Sequence, residues 1–174
     1  MSPPGCLSLD DPRFAERAQR VRLLGIDFDG VMTDNTVYVF EDGREAVRCS
    51  RLEGYGLRRL IAAGAEPVIV STEANGVVTA RARKLNIACV QSVPDKVAAM
   101  ETLLRERGLD WREAGFIGND VNDRDVLQRV ALPVVVADAH ECVCIDGVFR
   151  TTRRGGGGAV REVCDAIAAV KENR

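Results

Sequence analysis

Five short apolar runs punctuate the chain: "RLLGIDF" (22–28), "EPVIVS" (66–71), "IACVQ" (87–91), "AGFIG" (114–118) and "LPVVVA" (132–137). Each is close to continuously apolar rather than alternating, the pattern of a parallel strand covered on both faces. The stretches between them have helical spacing over roughly 54–63, 75–85, 95–107, 122–129 and 158–171. In the 95–107 segment Val97, Met100, Leu103 and Leu104 share one face. Strand–helix units repeated in this way specify an α/β fold built on an open, doubly wound, mainly parallel sheet.

One region breaks the alternation. "TVYVFEDGREAVRCS" (36–50) has two β-rich arms around "EDG", a β-hairpin signal. The hairpin and one helix consume most of the 42 residues from Asp29 to Ser71, so no separate cap domain fits. At 174 residues the chain suits one domain, expected over 21–174, with residues 1–20 as an N-terminal extension. The "RRGGGG" stretch at 153–158 reads as a flexible loop before the final helix.

A net charge of −2 excludes a strongly basic nucleic-acid binder, and no apolar run approaches the ~20 residues that cross a bilayer. No secretory signal pattern opens the sequence. The six cysteines, at 6, 49, 89, 142, 144 and 164, include no C-x-x-C pair. They read as small hydrophobes in a reducing cytosol, so a cytoplasmic location is expected. Cys142 and Cys144 with His140, the only histidine, leave a metal site as the alternative.

Ligands of such sheets sit beyond the carboxyl ends of the strands. There the chain places Asp27 and Asp29 after the first run, Ser71 after the second, Lys96 after "QSVPD", and "GNDVND" (118–123) after "AGFI". Each alone has an ordinary reading as a turn or helix cap. Their ordered recurrence at successive strand ends does not. Two aspartates one residue apart at a buried strand end call for a cation or a proton-transfer role.

That order resembles the haloacid dehalogenase superfamily of phosphotransferases, through "DFDGVMTD", "VIVS", Lys96 and "GNDVND". More closely, "DGVMTDN", "GYGLRRL", "VADAH" and "GAVREVCD" resemble the 3-deoxy-D-manno-octulosonate 8-phosphate phosphatases. That group includes nonulosonate 9-phosphate phosphatases and the similar C-terminal modules of acylneuraminate cytidylyltransferases. The resemblance implies a Rossmann-like fold and a Mg²⁺-dependent phosphatase acting on a sugar-acid phosphate. It implies Asp27 as nucleophile, Asp29 as general acid and base (on the same side as Asp27 if the strand stays extended), and Ser71 and Lys96 on the phosphoryl group. Asp27, the Asp29 carbonyl and Asn119 would hold the metal, with Asp120 or Asp123 compensating for the neutral amide. Gly30, Thr72, Gly54, Tyr55, Gly56 and Gly157 would line the substrate, and a homotetramer would bury the hairpin while the Gly155–Gly158 loop moves over the substrate.

The chain also departs from that pattern. Asn119 stands where the family usually has Asp, Glu53 where it often has Asp, and Glu73 and Gly157 where it often has Arg. The loss of two positive charges makes a nonulosonate phosphate as good a substrate as an octulosonate phosphate. Asn119 and Gly157 keep a second reading open, a weakly active or inactive oligomerisation module like the cytidylyltransferase C-terminal domains. A mutase is disfavoured, since no cap segment excludes water from a phosphoenzyme.

Overall fold

The computed structural model describes residues 5–173. Its strands are β1 (Leu7–Ser8), β2 (Leu23–Ile26), β3 (Thr33–Val39), β4 (Glu45–Cys49), β5 (Glu66–Val70), β6 (Ala88–Val90), β7 (Ala114–Gly118), β8 (Leu132–Val135) and β9 (Phe149–Arg150). Seven form one parallel sheet in the order β1-β9-β8-β7-β2-β5-β6, and β3 and β4 pair separately as an antiparallel hairpin. This is the expected Rossmann-like sheet, with β2 near its middle between β5 and β7.

The apolar runs split between the two faces because successive side chains alternate. Leu24, Ile26, Ile69 and Ile117 pack under α1 (Pro12–Ala18), α2 (Glu53–Ala62), α3 (Val77–Leu85) and α6 (Ala159–Glu172). Leu23, Val68, Val70 and Phe116 pack under α4 (Lys96–Glu106) and α5 (Arg124–Arg129). The Asp95 side chain caps α4, accepting from Val97 N at 2.8 Å and Ala98 N at 3.1 Å. That cap fixes the first helical residue, Lys96, at the carboxyl edge of the sheet.

Residues 7–18, expected as part of an extension, join the fold. Leu7 and Ser8 pair in parallel with Phe149 and Arg150, while Phe14 and Ala18 are buried beneath the sheet. A two-residue strand carries too little periodicity to be seen in sequence.

The hairpin starts at Thr33 rather than 36, and its outer arm exposes Val37, Tyr38, Val39 and Phe40. The glycine loop also differs from expectation, since its first half is packed into the fold. A Cβ on Gly155 would lie 1.9 Å from the Gly30 carbonyl oxygen, and Gly156 N donates to Val31 O at 3.0 Å. Buried Glu53 anchors the far side of the loop, accepting from Gly158 N at 3.1 Å and Arg161 N at 2.6 Å. It thereby caps α6 from another helix.

Candidate active site

The strand stops short of the aspartate pair, although the backbone is extended at Asp27 (φ −67°, ψ 158°) and Asp29 (φ −76°, ψ 124°). It ends at Ile26, and Phe28–Met32 winds into a tight turn made possible by Gly30 at φ 78°. Thr33 Oγ1 accepts from Gly30 N at 3.1 Å and closes that turn. Asp27 is left buried at the turn's entrance, and the half-buried Asp29 side chain faces a cleft beneath the hairpin.

Lys96 lies at the centre of a buried charge cluster. Its Nζ is 2.6 Å from Asp27 Oδ1 and 2.6 Å from Asp123 Oδ1. The other Asp123 oxygen accepts from Asn119 N at 2.8 Å and Asp120 N at 3.3 Å. Both oxygens of Asp123 are therefore engaged inside the protein, holding Lys96 and the 118–123 loop. Asp120 Oδ1 accepts from Val121 N at 2.7 Å, a local cap. Burial and the charge of Asp123 push the Asp27 carboxyl up to about 7, against the pull of Lys96.

Asn119 completes the arrangement. One atom of its amide lies 3.0 Å from both Asp27 Oδ2 and the Asp29 carbonyl oxygen. As Nδ2 that atom donates to both oxygens, and as Oδ1 it forms with them a set of three convergent oxygens. Octahedral Mg²⁺ with ligands at about 2.0–2.1 Å sets neighbouring oxygens about 3 Å apart, so the donor set fits that ion. Gly30 leaves the space for this amide, since a Cβ there would lie 2.1 Å from its nitrogen.

Ser71 follows β5, the strand beside β2, and is buried, with its Oγ accepting from Glu73 N at 3.1 Å. Thr72 and Lys96 border a cavity of about 790 Å³ that continues along α5. A smaller cavity of about 190 Å³ lies between the hairpin and the loop after β5, lined by Asp29, Asn35, Thr36, Glu45, Glu73 and Asn75. Gly54, Tyr55 and Gly56 lie apart from these cavities, on α2. There Gly56 admits α6, with a Cβ falling 2.8 Å from Arg161 Cα, and exposed Tyr55 stacks under Arg58. Gly157 is exposed at the tip of its loop.

No family model matches the chain. Among curated proteins, the 3-deoxy-D-manno-octulosonate 8-phosphate phosphatase KdsC of Yersinia pestis is 35% identical over 158 residues, covering 90% of this chain and 84% of that protein. The chain belongs to the KdsC-like phosphatases. Solved structures agree. The Yersinia pestis 3-deoxy-D-manno-octulosonate 8-phosphate phosphatase superposes with a TM-score of 0.89 at 34% identity, over 92% of this chain and 88% of that one. The enzyme of the same name from Moraxella catarrhalis, in complex with magnesium, phosphate and a KDO molecule, gives 0.89 at 27% identity over 94% of both chains. As a KdsC-like phosphatase, this chain is a phosphoric monoester hydrolase of the haloacid dehalogenase superfamily.

Three positions gained a defined place only from the structure of this KdsC-like phosphatase. Asp123 holds Lys96, Thr33 closes the turn at Gly30, and Asp138 Oδ1 accepts from Gly155 N at 3.0 Å. Asp138 sits in the "VADAH" stretch, so the signal was present there without an assigned task.

Proposed function

We propose that the chain hydrolyses the phosphate monoester of a 2-keto-3-deoxy sugar acid, octulosonate or nonulosonate, with Mg²⁺ and through an aspartyl-phosphate on Asp27. The observation that carries this reading is the division of labour at one carboxylate. Asp27 Oδ1 is held by Lys96, while Oδ2 faces the oxygen set formed with Asn119 and the Asp29 carbonyl. Bound there, Mg²⁺ would neutralise phosphate oxygens and favour the ionised form of Asp27.

Asp27 attacks phosphorus, and the bond to the sugar oxygen breaks as Asp29 gives that oxygen a proton. Asp29 then takes a proton from the water that attacks the aspartyl-phosphate, which releases inorganic phosphate and restores Asp27. Burial and the charge of Glu73 raise the Asp29 carboxyl, against Lys96, which suits a group that must first hold a proton. Lys96 supplies fixed charge to the transferring group, and the Ser71 hydroxyl donates to it.

The carboxylates of Glu45 and Glu73 beside Asp29 favour the hydroxyl-bearing part of the sugar acid in the smaller cavity and turn its carboxylate away from it. The same proposal includes a homotetramer that buries the hairpin, because a two-stranded ribbon lacks a core of its own and Tyr38 and Val39 are 64% and 67% exposed. A pure scaffold would have no use for the buried Asp27–Lys96–Asp123 cluster, which costs desolvation to keep.

The test is a phosphate-release screen over 2-keto-3-deoxy sugar acid phosphates with and without Mg²⁺, run beside Asp27→Asn. Mg²⁺-dependent release that the variant lacks supports the reading. Release by the variant at the wild-type rate removes Asp27 as nucleophile, and no release from any sugar-acid phosphate removes the substrate class. Light scattering that returns a monomer rejects the tetramer.

A further inference from the structure

A second group of ligand-type side chains lies on the far side of the 118–123 loop. Asp120, His140 and Cys142 bring a carboxylate oxygen, an imidazole nitrogen and a thiol sulfur within 4.8 Å of one another. Among the described residues this is the one cluster that mixes all three donor types. Two of these residues have local tasks. Asp120 Oδ1 accepts from Val121 N, and His140 Nδ1 accepts from Cys142 N at 3.3 Å. The third is a partner of the first, its thiol donating to Asp120 Oδ1. The Cys142 sulfur is turned towards Asp120 Oδ1, 4.0 Å away, although the neighbouring Cys144 sulfur instead faces the Arg150 guanidinium.

We propose that Asp120, His140 and Cys142 form a metal site for a borderline-soft divalent ion of the zinc class, separate from the all-oxygen set at Asp27. Thiolate and imidazole donors select such an ion over Mg²⁺, which takes oxygen. Zinc bonds of about 2.3 Å to sulfur and 2.0–2.2 Å to oxygen place the two donors about 3.5 Å apart, so the present 4.0 Å needs to close by about half an ångström. His140 is exposed and the other two side chains are half-buried, which leaves the ion a route from solvent and room for water at the fourth position. On binding, the thiol proton passes to solvent and the sulfur–metal bond takes its place. The site is tied to the phosphatase centre by the His140 N–H, which donates to the Asn119 carbonyl at 2.8 Å.

Co²⁺ is the probe, because only a thiolate ligand gives its sulfur-to-cobalt charge-transfer band, and occupancy of the oxygen set gives none. The full chain, kept reduced with a non-chelating phosphine and saturated with Mg²⁺, is titrated with Co²⁺ and then with Zn²⁺. One equivalent of the band is expected, displaced by Zn²⁺, absent in Cys142→Ser and retained in Cys144→Ser and Asp27→Asn. His140→Ala is expected to weaken the apparent affinity at least about tenfold. Absence of the band in the folded wild-type chain overturns the proposal. So does a band that survives Cys142→Ser, or an affinity unchanged in His140→Ala.

Discussion

Lys96 and Asp27 stand 2.6 Å apart in a site where neither side chain is more than 5% exposed. Because Asp123 is equally close to the ammonium, the cluster carries two carboxylates on one cation. Replacing Lys96 by Met would leave both carboxylates buried without a counter-charge, at a cost of about 3–5 kcal/mol at pH 8. At pH 5.5 a proton can occupy one of them, so the loss should shrink. Urea denaturation at the two pH values checks this, and an equal loss at both would mean that water already enters the cluster.

Asn119→Asp should convert a neutral donor into a charged one at the point 3.0 Å from Asp27 Oδ2 and the Asp29 carbonyl. Without metal the new carboxylate faces two oxygens, so the melting temperature should fall. With Mg²⁺ the added charge should tighten binding by at least about tenfold, and the Mg²⁺-induced rise in melting temperature should exceed that of the wild type. Unchanged values in both conditions would place residue 119 outside the ion's coordination.

Gly30→Ala tests the same set through the backbone. Gly30 has φ 78°, and the added carbon would meet the Asn119 amide at 2.1 Å. The strain costs about 1–3 kcal/mol. Displacement of Asn119 should also abolish most of the Mg²⁺-induced stabilisation seen by calorimetry. A folded variant with the full Mg²⁺ response would show that the amide can move aside without loss.

Glu53 supplies a pH dependence. Burial pushes its carboxyl from the ordinary 4.5 up to about 7, although two backbone N–H groups pull it down. A folded pKa above the unfolded one gives stability that is complete below about pH 4.5 and lost as pH rises to about 7. Glu53→Gln cannot titrate, so the wild type should lose up to about 3 kcal/mol relative to this variant between those limits, and nothing further above them. Asp27 and Asp29 are also raised, and comparing the two proteins cancels their share. A wild-type-minus-variant difference that is flat with pH would mean that Glu53 is already ionised in the fold.

The sheet and the four strand-end positions were legible because each rests on a local pattern. A buried parallel strand must be apolar throughout, and a ligand-facing residue must follow it. Lys96 was readable beside its cap Asp95 for the same reason. The tasks of Asp123 and Glu53 were not, because each depends on a partner far away in sequence. Asp123 reaches back to Lys96, and Glu53 reaches forward to the start of α6. The point where the chain turns away was not legible, because φ at Gly30 sets it rather than any apolar pattern. The glycine run at 155–158 reads as mobile from composition alone, yet Gly155 and Gly156 are small in order to fit against the backbone of residues 30–34.

That fit has a consequence for the order of events during synthesis. Asp27, Ser71, Lys96 and Asn119 have all been translated by residue 119, but the backbone that braces Gly30 arrives only with Gly155, 125 residues after it. At about 5–20 residues per second, the interval is on the order of ten seconds. Throughout it the growing chain carries its reactive carboxylates on an unbraced loop. Ribosomal stalling or premature termination between Asn119 and Gly155 would therefore yield a product with every strand-end residue in its sequence and no frame to aim them.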